Sequence, residues 1–365
     1  MNADTTPLEG AFFWIDRAFL PVPVRFRSKK PYNPDDPQGR NWQDLRITKD
    51  TAARYFNNAP QNIGVLLGDD FGSADVDLDC AEAVSAAPHF LPDTGMKFGR
   101  ASKPASHWFY KIDPPIPSEK FIDPTDGETV TELRCRDRDG SIGHQTVVPP
   151  SVHEFGEQIR FELGFDRYPA NVDADVLMSA VARTAAAALL ARRWPPSGHG
   201  RHNTMLALAG GLARAGWTLQ NVMVFCRAVY RSLPDPDPKA LSRSDEEVKS
   251  TFRRKENGEE YTGWPHVIEA VGSDVVKHIT KWLGIVKQVV EPQLRCFPYT
   301  DTGNAERIVA RHGRDLHYSH PEKTWYIWDG RRWAADRGGR MMQIAKSIAR
   351  SLYAEAAEID NQEQR

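Results

Sequence analysis

The pattern of apolar and polar positions divides the chain into regions of different texture. From residue 11 to about 170, short apolar runs alternate with turns rich in Pro, Gly and Asp. Runs of this length, rich in branched and aromatic residues, are typical of strands. Strands are predicted at Ile63–Leu67, Ala74–Leu78, Trp108–Ile112, Thr129–Leu133, Gln145–Val148 and Gln158–Leu163, with short helices at Thr48–Phe56 and Ala81–Ala87. This region is therefore predicted to be an α/β or α+β domain.

From about residue 175 to 285 the apolar residues recur at helical spacing. The segment Thr204–Arg214 carries them at i, i+3, i+4 and i+7, which predicts an amphipathic helix. Thr218 is expected to cap the next helix, and Ser244–Glu247 matches a capping box that would begin another. The last apolar stripe ends at Gly284. The pattern predicts a small helical bundle.

The remaining segment begins with a predicted linker at residues 286–297. Tyr326–Trp333 has the pattern of a tight hairpin, and a helix is predicted from about Met341. One hairpin and two helices make a poor independent core, so we expect this region to be the truncated start of a further module. The predicted domains are therefore residues 1–172, 173–286 and 287–365.

Composition and charge limit the class of protein. The 365 residues are 40% hydrophobic and 26% charged, and 47 basic and 49 acidic residues give a net charge of −2. These values favour a soluble globular protein and exclude a uniformly basic nucleic-acid coat protein, but they allow local basic patches. No stretch approaches the roughly 18–20 uncharged apolar residues of a membrane span, and the N-terminus lacks a signal-peptide pattern. We expect a cytoplasmic protein with no membrane partner.

The cysteines Cys80, Cys135, Cys226 and Cys296 are far apart and form no CxxC pair. This spacing predicts reduced thiols and excludes a cysteine-based zinc finger within the chain.

The acidic run Asp75-Val76-Asp77-Leu78-Asp79 is the sharpest local signal. Alternate residues of a strand share a face, so the carboxylates are expected on one side and Val76 and Leu78 in the core. Carboxylates at this spacing suit hard divalent cations. A solvated acidic strand face is the alternative interpretation.

Two further features strengthen the metal interpretation. Glu132 lies in another strand pattern and would complete a two-metal site. Residues 97–108 between the acidic strands form a predicted basic loop with Lys97, Arg100, Lys103 and His107 and no acid, and such cations suit a triphosphate. Taken singly, each could be an ordinary surface feature.

Several motifs in order carry a resemblance to a known family. They are Gly64-Val65-Leu66-Leu67-Gly68, Asp75-Val76-Asp77-Leu78-Asp79, Lys103-Pro104-Ala105-Ser106-His107-Trp108, Thr131-Glu132-Leu133-Arg134 and Gln145-Thr146-Val147-Val148-Pro149-Pro150-Ser151-Val152-His153. From Phe12 to Leu163 the chain resembles the bifunctional DNA primase/polymerase family of the archaeo-eukaryotic primase superfamily, which occurs in phages, plasmids and integrated elements.

The resemblance implies an α+β fold: a primase-like catalytic core, with an RRM-like sheet and a second small α/β unit, followed by a helical bundle domain. It implies that Asp77, Asp79 and Glu132 bind two Mg²⁺ or Mn²⁺ ions and that His107 joins them in catalysis. Asp75 falls where the family usually has an apolar residue, so it is left out of the metal set. The nucleotide-binding residues implied are Arg100, Lys103, Ser106, His107, Arg134, Gln145 and Ser151, and His153 could line the site.

The implied activity is template-directed transfer of nucleotides from dNTPs or NTPs to a primer 3′-OH, with de novo priming also open. A single-stranded template and a primer–template are the implied partners, and basic residues between Arg183 and Lys255 could contact their phosphates. Residues 299–305 and 325–333 resemble the start of the module that precedes poxvirus- and phage-type superfamily 3 helicases. A helicase in cis or in trans is therefore a further expected partner.

Other enzyme classes fail on their motifs. The sequence has no GxxxxGK[ST] loop, HExxH pair, GxSxG elbow, Rossmann fingerprint or zinc-deaminase signature. A non-catalytic replication-initiation or helicase-loading module and a metal-dependent nuclease remain as alternatives.

Overall fold

A computed structural model describes most of the chain, in two compact units, residues 1–284 and 285–365. The described residues are 5–36, 38–57, 59–236, 238–285, 300–313, 316–328 and 332–349. The predicted linker and the domain boundary at 286/287 lie outside them.

The first unit is α+β, as predicted. Its described strands are β1 (Pro21–Arg25), β2 (Gln61–Leu66), β3 (Ser73–Leu78), β4 (Met96–Arg100), β5 (Lys103–Ile112), β6 (Glu119–Ile122), β7 (Thr129–Arg134), β8 (Gln145–Val148), β9 (Arg160–Asp166) and β10 (Ala170–Val172). Its described helices are α1 (Pro7–Ile15), α2 (Lys49–Tyr55), α3 (Ala81–Phe90), α4 (Ala174–Arg193), α5 (Arg201–Arg214), α6 (Leu219–Arg231), α7 (Pro238–Glu256), α8 (Trp264–Val271) and α9 (Ser273–Trp282).

Strands β1, β2 and β8 form a small antiparallel sheet in the order β1-β2-β8. The larger sheet has the order β6-β7-β3-β5-β4-β9, and β10 adds to β5 in parallel. Strand β3 is thus central, with β5 and β7 on its two sides. The side chains of β3 alternate between its two faces as predicted. Val76 and Leu78 lie in a core shared with α3 and α4, which leaves Asp75 and Asp77 on the opposite face.

Helix α4 joins the sheet and the helical region. Leu177, Val181 and Ala185 belong to the same buried cluster as Val76 of β3 and Leu133 of β7. The predicted boundary at 172/173 therefore falls between β10 and α4, at a point where one core continues across it.

By length and composition α4 is the one helix among the described residues that could span a bilayer. Arg183 lies in the middle of this helix, so it contains no uncharged apolar stretch of the expected membrane-span length. Most of the helix is buried inside the unit, as in the core helix of a globular protein.

The second unit contains α10 (Asp301–His312), β11 (Leu316–Ser319), β12 (Thr324–Trp328) and β13 (Trp333–Ala335). The three strands pair antiparallel in chain order, which confirms the strands of the predicted hairpin, although residues 329–331 of its turn lie outside the description. Residues 340–349 are helical, as predicted.

Two local predictions are wrong. Ser244 lies inside α7, where its hydroxyl donates to Leu241 O at 2.7 Å, because the helix already begins at Pro238. The predicted basic loop at 97–108 is instead the β4–β5 hairpin. By contrast, Thr218 caps α6 by accepting a hydrogen bond from Asn221 N, and α9 ends before Gly284, which has φ +61°.

Candidate functional site

Strand register brings the predicted carboxylates and cations to one place in the sheet. Asp77 on β3 lies directly opposite His107 on β5 and, on its other side, opposite Glu132 on β7. A cavity of about 290 Å³ opens beside this point. Among the predicted site residues it is lined by Asp77, Asp79, Arg100, Lys103, Ser106, His107, Arg134 and Gln145. His153 also lines it.

His107 is held on two sides. Its ring stacks on Phe98 with 5.0 Å between centroids, and its Nδ1–H donates to Asp75 Oδ2 at 3.0 Å. Asp75 is fully buried and also accepts from Thr146 Oγ1 at 2.6 Å. Burial alone would lower the pKa of His107, but the charges of Asp77 and Asp75 outweigh burial and raise that pKa. The two carboxylates therefore favour the charged form of His107.

Arg134 bridges the carboxylates of the two adjacent strands. Its Nε donates to Glu132 Oε2 at 2.9 Å, and its Nη2 contacts Asp77 Oδ2. Burial would raise the pKa of Asp77, but His107 and then Arg134 hold it below its usual value. His107 and Arg134 thus favour the ionised form of Asp77.

Asp79 follows the end of β3 and is more exposed than Asp77. Lys103 Nζ lies 3.4 Å from Asp79 Oδ1. Burial and the charge of Asp77 raise the pKa of Asp79, so the two carboxylates repel each other. A cation between them would relieve that repulsion.

A second network holds the far side of the cavity. Glu157 accepts from Ser102 N at 2.8 Å and from Ser102 Oγ at 2.5 Å, and its Oε2 lies 3.2 Å from Arg100 Nε. Arg100 Nη1 contacts His153 Nε2 at 2.6 Å. This network ties the β4–β5 turn to the segment after β8.

The remaining predicted residues differ in their positions. Gln145 Nε2 donates to Lys29 O at 3.0 Å, which holds Lys29 beside the cavity that both residues line. Ser106 is buried in the cavity wall. Ser151 bonds to the main chain of β2, where its Oγ accepts from Ile63 N at 2.8 Å and lies 3.2 Å from Ile63 O. Ser151 does not line the described cavity, and its predicted nucleotide contact stays a prediction.

The metal set is close in the sheet but is not arranged around one point. Within the described ranges no three His, Cys, Asp or Glu side chains form a cluster that could hold a metal ion. Arg134 instead pairs with both Glu132 and Asp77. Lys120 also lies 3.6 Å from Glu132.

Several residues of the site were not among the predicted ones, and three of them have a clear role or place. Asp75 positions His107, Thr146 binds Asp75, and Lys29 lines the cavity. Alternation along β3 puts Asp75 on the same face as Asp77, so the sequence pattern did indicate that Asp75 lies near the site. Thr146 and Lys29 reach the site through cross-strand pairing and a side-chain contact that local patterns do not show.

The basic helical residues are partly used within the fold. Arg193 Nη2 lies 2.6 Å from Asp123 Oδ2, Arg201 Nη2 lies 2.5 Å from Asp235 Oδ1, and Lys255 Nζ donates to Ala213 O at 2.8 Å. Their contact with template phosphates stays a prediction.

The sheet of this α+β unit places carboxylates and cations around one cavity, a combination that suits a phosphorylated substrate. Residues 14–174 match the family model of the bifunctional DNA primase/polymerase N-terminal domain, and residues 305–365 match the D5 N-terminal-like model. No curated protein matches the chain. The first region is therefore a bifunctional DNA primase/polymerase domain, and a D5 N-terminal-like region follows it.

Proposed function

We propose that this chain adds nucleotides from dNTPs or NTPs to a primer 3′-OH under the direction of a template. The observation that carries the proposal is the single cavity in which acidic Asp77 and Asp79 face basic Arg100, Lys103 and His107. A triphosphate needs cations, and the reacting oxygens need a cation held by carboxylates. De novo priming is a further part of the proposal.

Asp77, Asp79 and Glu132 are the proposed ligands of two Mg²⁺ or Mn²⁺ ions. Their hard oxygen donors suit these ions. The charge of Asp77 contributes to the raised pKa of Asp79, and a nearby cation would relieve the repulsion between the two carboxylates. Bound ions would supply charge neutralisation and activation of the primer hydroxyl. The guanidinium of Arg134 now pairs with both Glu132 and Asp77. At least one of these ion pairs has to break before both carboxylates can bind metal.

The chain's own side chains bind and orient the nucleotide. Arg100 and Lys103 stand on the two sides of the β4–β5 turn and are proposed to neutralise the triphosphate. His107, fixed by Asp75 and Phe98, is proposed to donate from Nε2 to a phosphate oxygen. Lys29, which also lines the cavity, adds positive charge. Because these groups are already in place, little reorganisation is needed on binding.

The proposed setting is the cytoplasm, in replication of a phage or other mobile element. The D5 N-terminal-like region supports a helicase module of superfamily 3 in cis or in trans as a partner. The proposed core is the archaeo-eukaryotic primase type with an RRM-like sheet, followed by the helices from α4 onward.

The test is extension of a labelled primer–template with dNTPs and Mg²⁺ or Mn²⁺, alongside a primer-free reaction. We expect extension by the wild type and a loss of about 10³-fold or more in the Asp77→Ala/Asp79→Ala double variant, since removing one electrostatic stabiliser already costs roughly 10²–10³ in rate. The matched control is Asp70→Ala/Asp93→Ala, whose side chains are 96% and 90% exposed; it should extend normally.

Each other outcome points elsewhere. Robust extension by Asp77→Ala/Asp79→Ala overturns the assignment of the metal ligands. Primer shortening without addition favours a nuclease. DNA binding without either reaction favours a replication-initiation module that does not catalyse.

A further inference from the structure

Phe155 is a large apolar side chain that remains in solvent at the edge of the cavity. Its side chain is 79% exposed, although it lines the same cavity as Arg100 and Lys103. Burying an aromatic ring is strongly favourable, so the fold forgoes that stabilisation here. Among the described cavity-lining residues it is the one with a phenyl, phenol or indole ring.

The loop that carries Phe155 is tightly built. Gly156 N donates to His153 O at 2.8 Å, and His153 N donates to Glu157 O at 2.7 Å. Gly156 has φ +90°, as expected at the end of a three-residue hairpin loop. Phe155 therefore stands at the tip of a defined turn.

The same loop is bonded to the hairpin that carries the cations. Glu157 accepts from both Ser102 N and Ser102 Oγ. Arg100 Nη1 donates to His153 Nε2 at 2.6 Å, and burial together with Arg100 lowers the pKa of His153, which keeps Nε2 available as an acceptor. The ring of Phe155 and the guanidinium of Arg100 thus belong to one braced assembly.

We propose that Phe155 is the platform on which the base of the incoming nucleotide stacks. This rests on the proposed function, because it takes the nearby cations as the triphosphate site. Base and triphosphate are parts of one molecule, and the cavity presents an apolar ring and cations side by side. Every base has a π-face, so such a platform accepts all four nucleotides and favours purines through their larger area.

The experiment compares two probes on the full chain in Mg²⁺ buffer by titration calorimetry: dATP and inorganic tripolyphosphate. Phe155→Ala is expected to weaken dATP binding about 10- to 100-fold, the range that loss of one aromatic stack gives, and to change tripolyphosphate binding less than twofold. Phe155→Trp should restore dATP affinity. Leu163→Ala, at a 100% exposed apolar residue outside the cavity lining, is the matched control and should bind both probes as the wild type does.

The outcomes separate this inference from the proposed function. If Phe155→Ala binds dATP with wild-type affinity, the stacking proposal is overturned, but the proposed triphosphate site is not. Equal weakening of both probes also overturns it, because Phe155 would then act through loop structure. A single-stranded oligonucleotide, titrated as a third probe, tests the template: a loss of affinity confined to it in Phe155→Ala would place the ring against the template and overturn the proposal as stated. A wild-type chain that binds neither probe overturns the proposed function itself.

Discussion

At the scale of single residues, Asp75 shows how a buried charge can serve a neighbour. It is fully buried, yet its carboxylate accepts from His107 Nδ1–H and Thr146 Oγ1. An unpaired buried carboxylate would be costly, so these contacts stabilise it while fixing the imidazole. Asp75 is therefore a positioning residue: it orients His107, which lines the cavity, and is not itself a lining residue.

The Asp75→Asn variant removes the charge but keeps the shape. We expect kcat/KM for dNTP to fall about 10- to 100-fold, because a hydrogen bond to a charged group contributes roughly 1.5–3 kcal/mol. Most of the loss should appear in KM, since the His107 contact is already made in the ground state. Steady-state primer extension measures both parameters.

Asp69→Asn is the control for Asp75→Asn. Asp69 is equally buried and bonds to Ser73 N and Oγ, but it lies outside the cavity lining. It should lower stability and leave KM unchanged. An unaltered KM in Asp75→Asn would show that Asp75 has no effect on the site.

At the scale of elements, the β4–β5 hairpin explains why charge patterns mislead. Lys97 looks like part of a solvated basic loop, but its Nζ lies 3.7 Å from the centroid of the Trp108 ring and 3.0 Å from Asp93. Its stem is buried along the sheet, as long cationic side chains allow. Ala105 has φ +48°, which breaks the regular alternation in β5. Local patterns could not show that these residues were in a strand.

The turn before β3 offers a sharp test of element geometry. Gly72 has φ +66°, and a Cβ there would lie 1.8 Å from Ile112 O. Gly72→Ala should therefore lower the free energy of unfolding by about 3 kcal/mol or more, because main chain of β5 must move. Denaturant unfolding of each variant gives the value.

Gly127→Ala separates the clash from the backbone strain. Gly127 has φ +78°, but nothing lies within 4 Å of the added atom. We expect the free energy of unfolding to fall by only about 1–2 kcal/mol, the cost of placing a residue with a side chain in the left-handed conformation. If Gly72→Ala and Gly127→Ala lower the free energy of unfolding equally, the clash with Ile112 O does not add to the cost at Gly72.

At the scale of the whole molecule, helix α4 makes the first unit a single structure. Its apolar face shares a core with β3 and β7. Beyond that core, Arg193 holds the fully buried Asp123, with its Nε at 2.9 Å from Asp123 Oδ2. Breaking a buried pair of this kind costs about 3–5 kcal/mol. The sheet and α4 should therefore unfold together.

Two fragments test this. Residues 1–284 should melt in one cooperative transition, whereas residues 1–172 should lack it, because they expose the core that α4 covers and leave Asp123 without Arg193. Thermal unfolding followed by circular dichroism distinguishes them. A fragment 1–172 that melts cooperatively at the temperature of 1–284 would support the predicted boundary as a true domain limit.

The sequence by itself determined the features that depend on local order. Strand and helix periodicity placed β3, β7 and β8 and the helices α5, α6 and α9, because side-chain alternation follows directly from backbone geometry. The ordered motifs also led to the primase/polymerase family that residues 14–174 match.

Only the tertiary structure decided which charges meet. Asp75 with His107, Arg134 with Glu132 and Asp77, and the loop of Phe155 with Arg100 are pairings between distant segments. Such pairings are set by strand register and by which side chain is left to neutralise a buried charge, and neither is encoded in a short window of sequence.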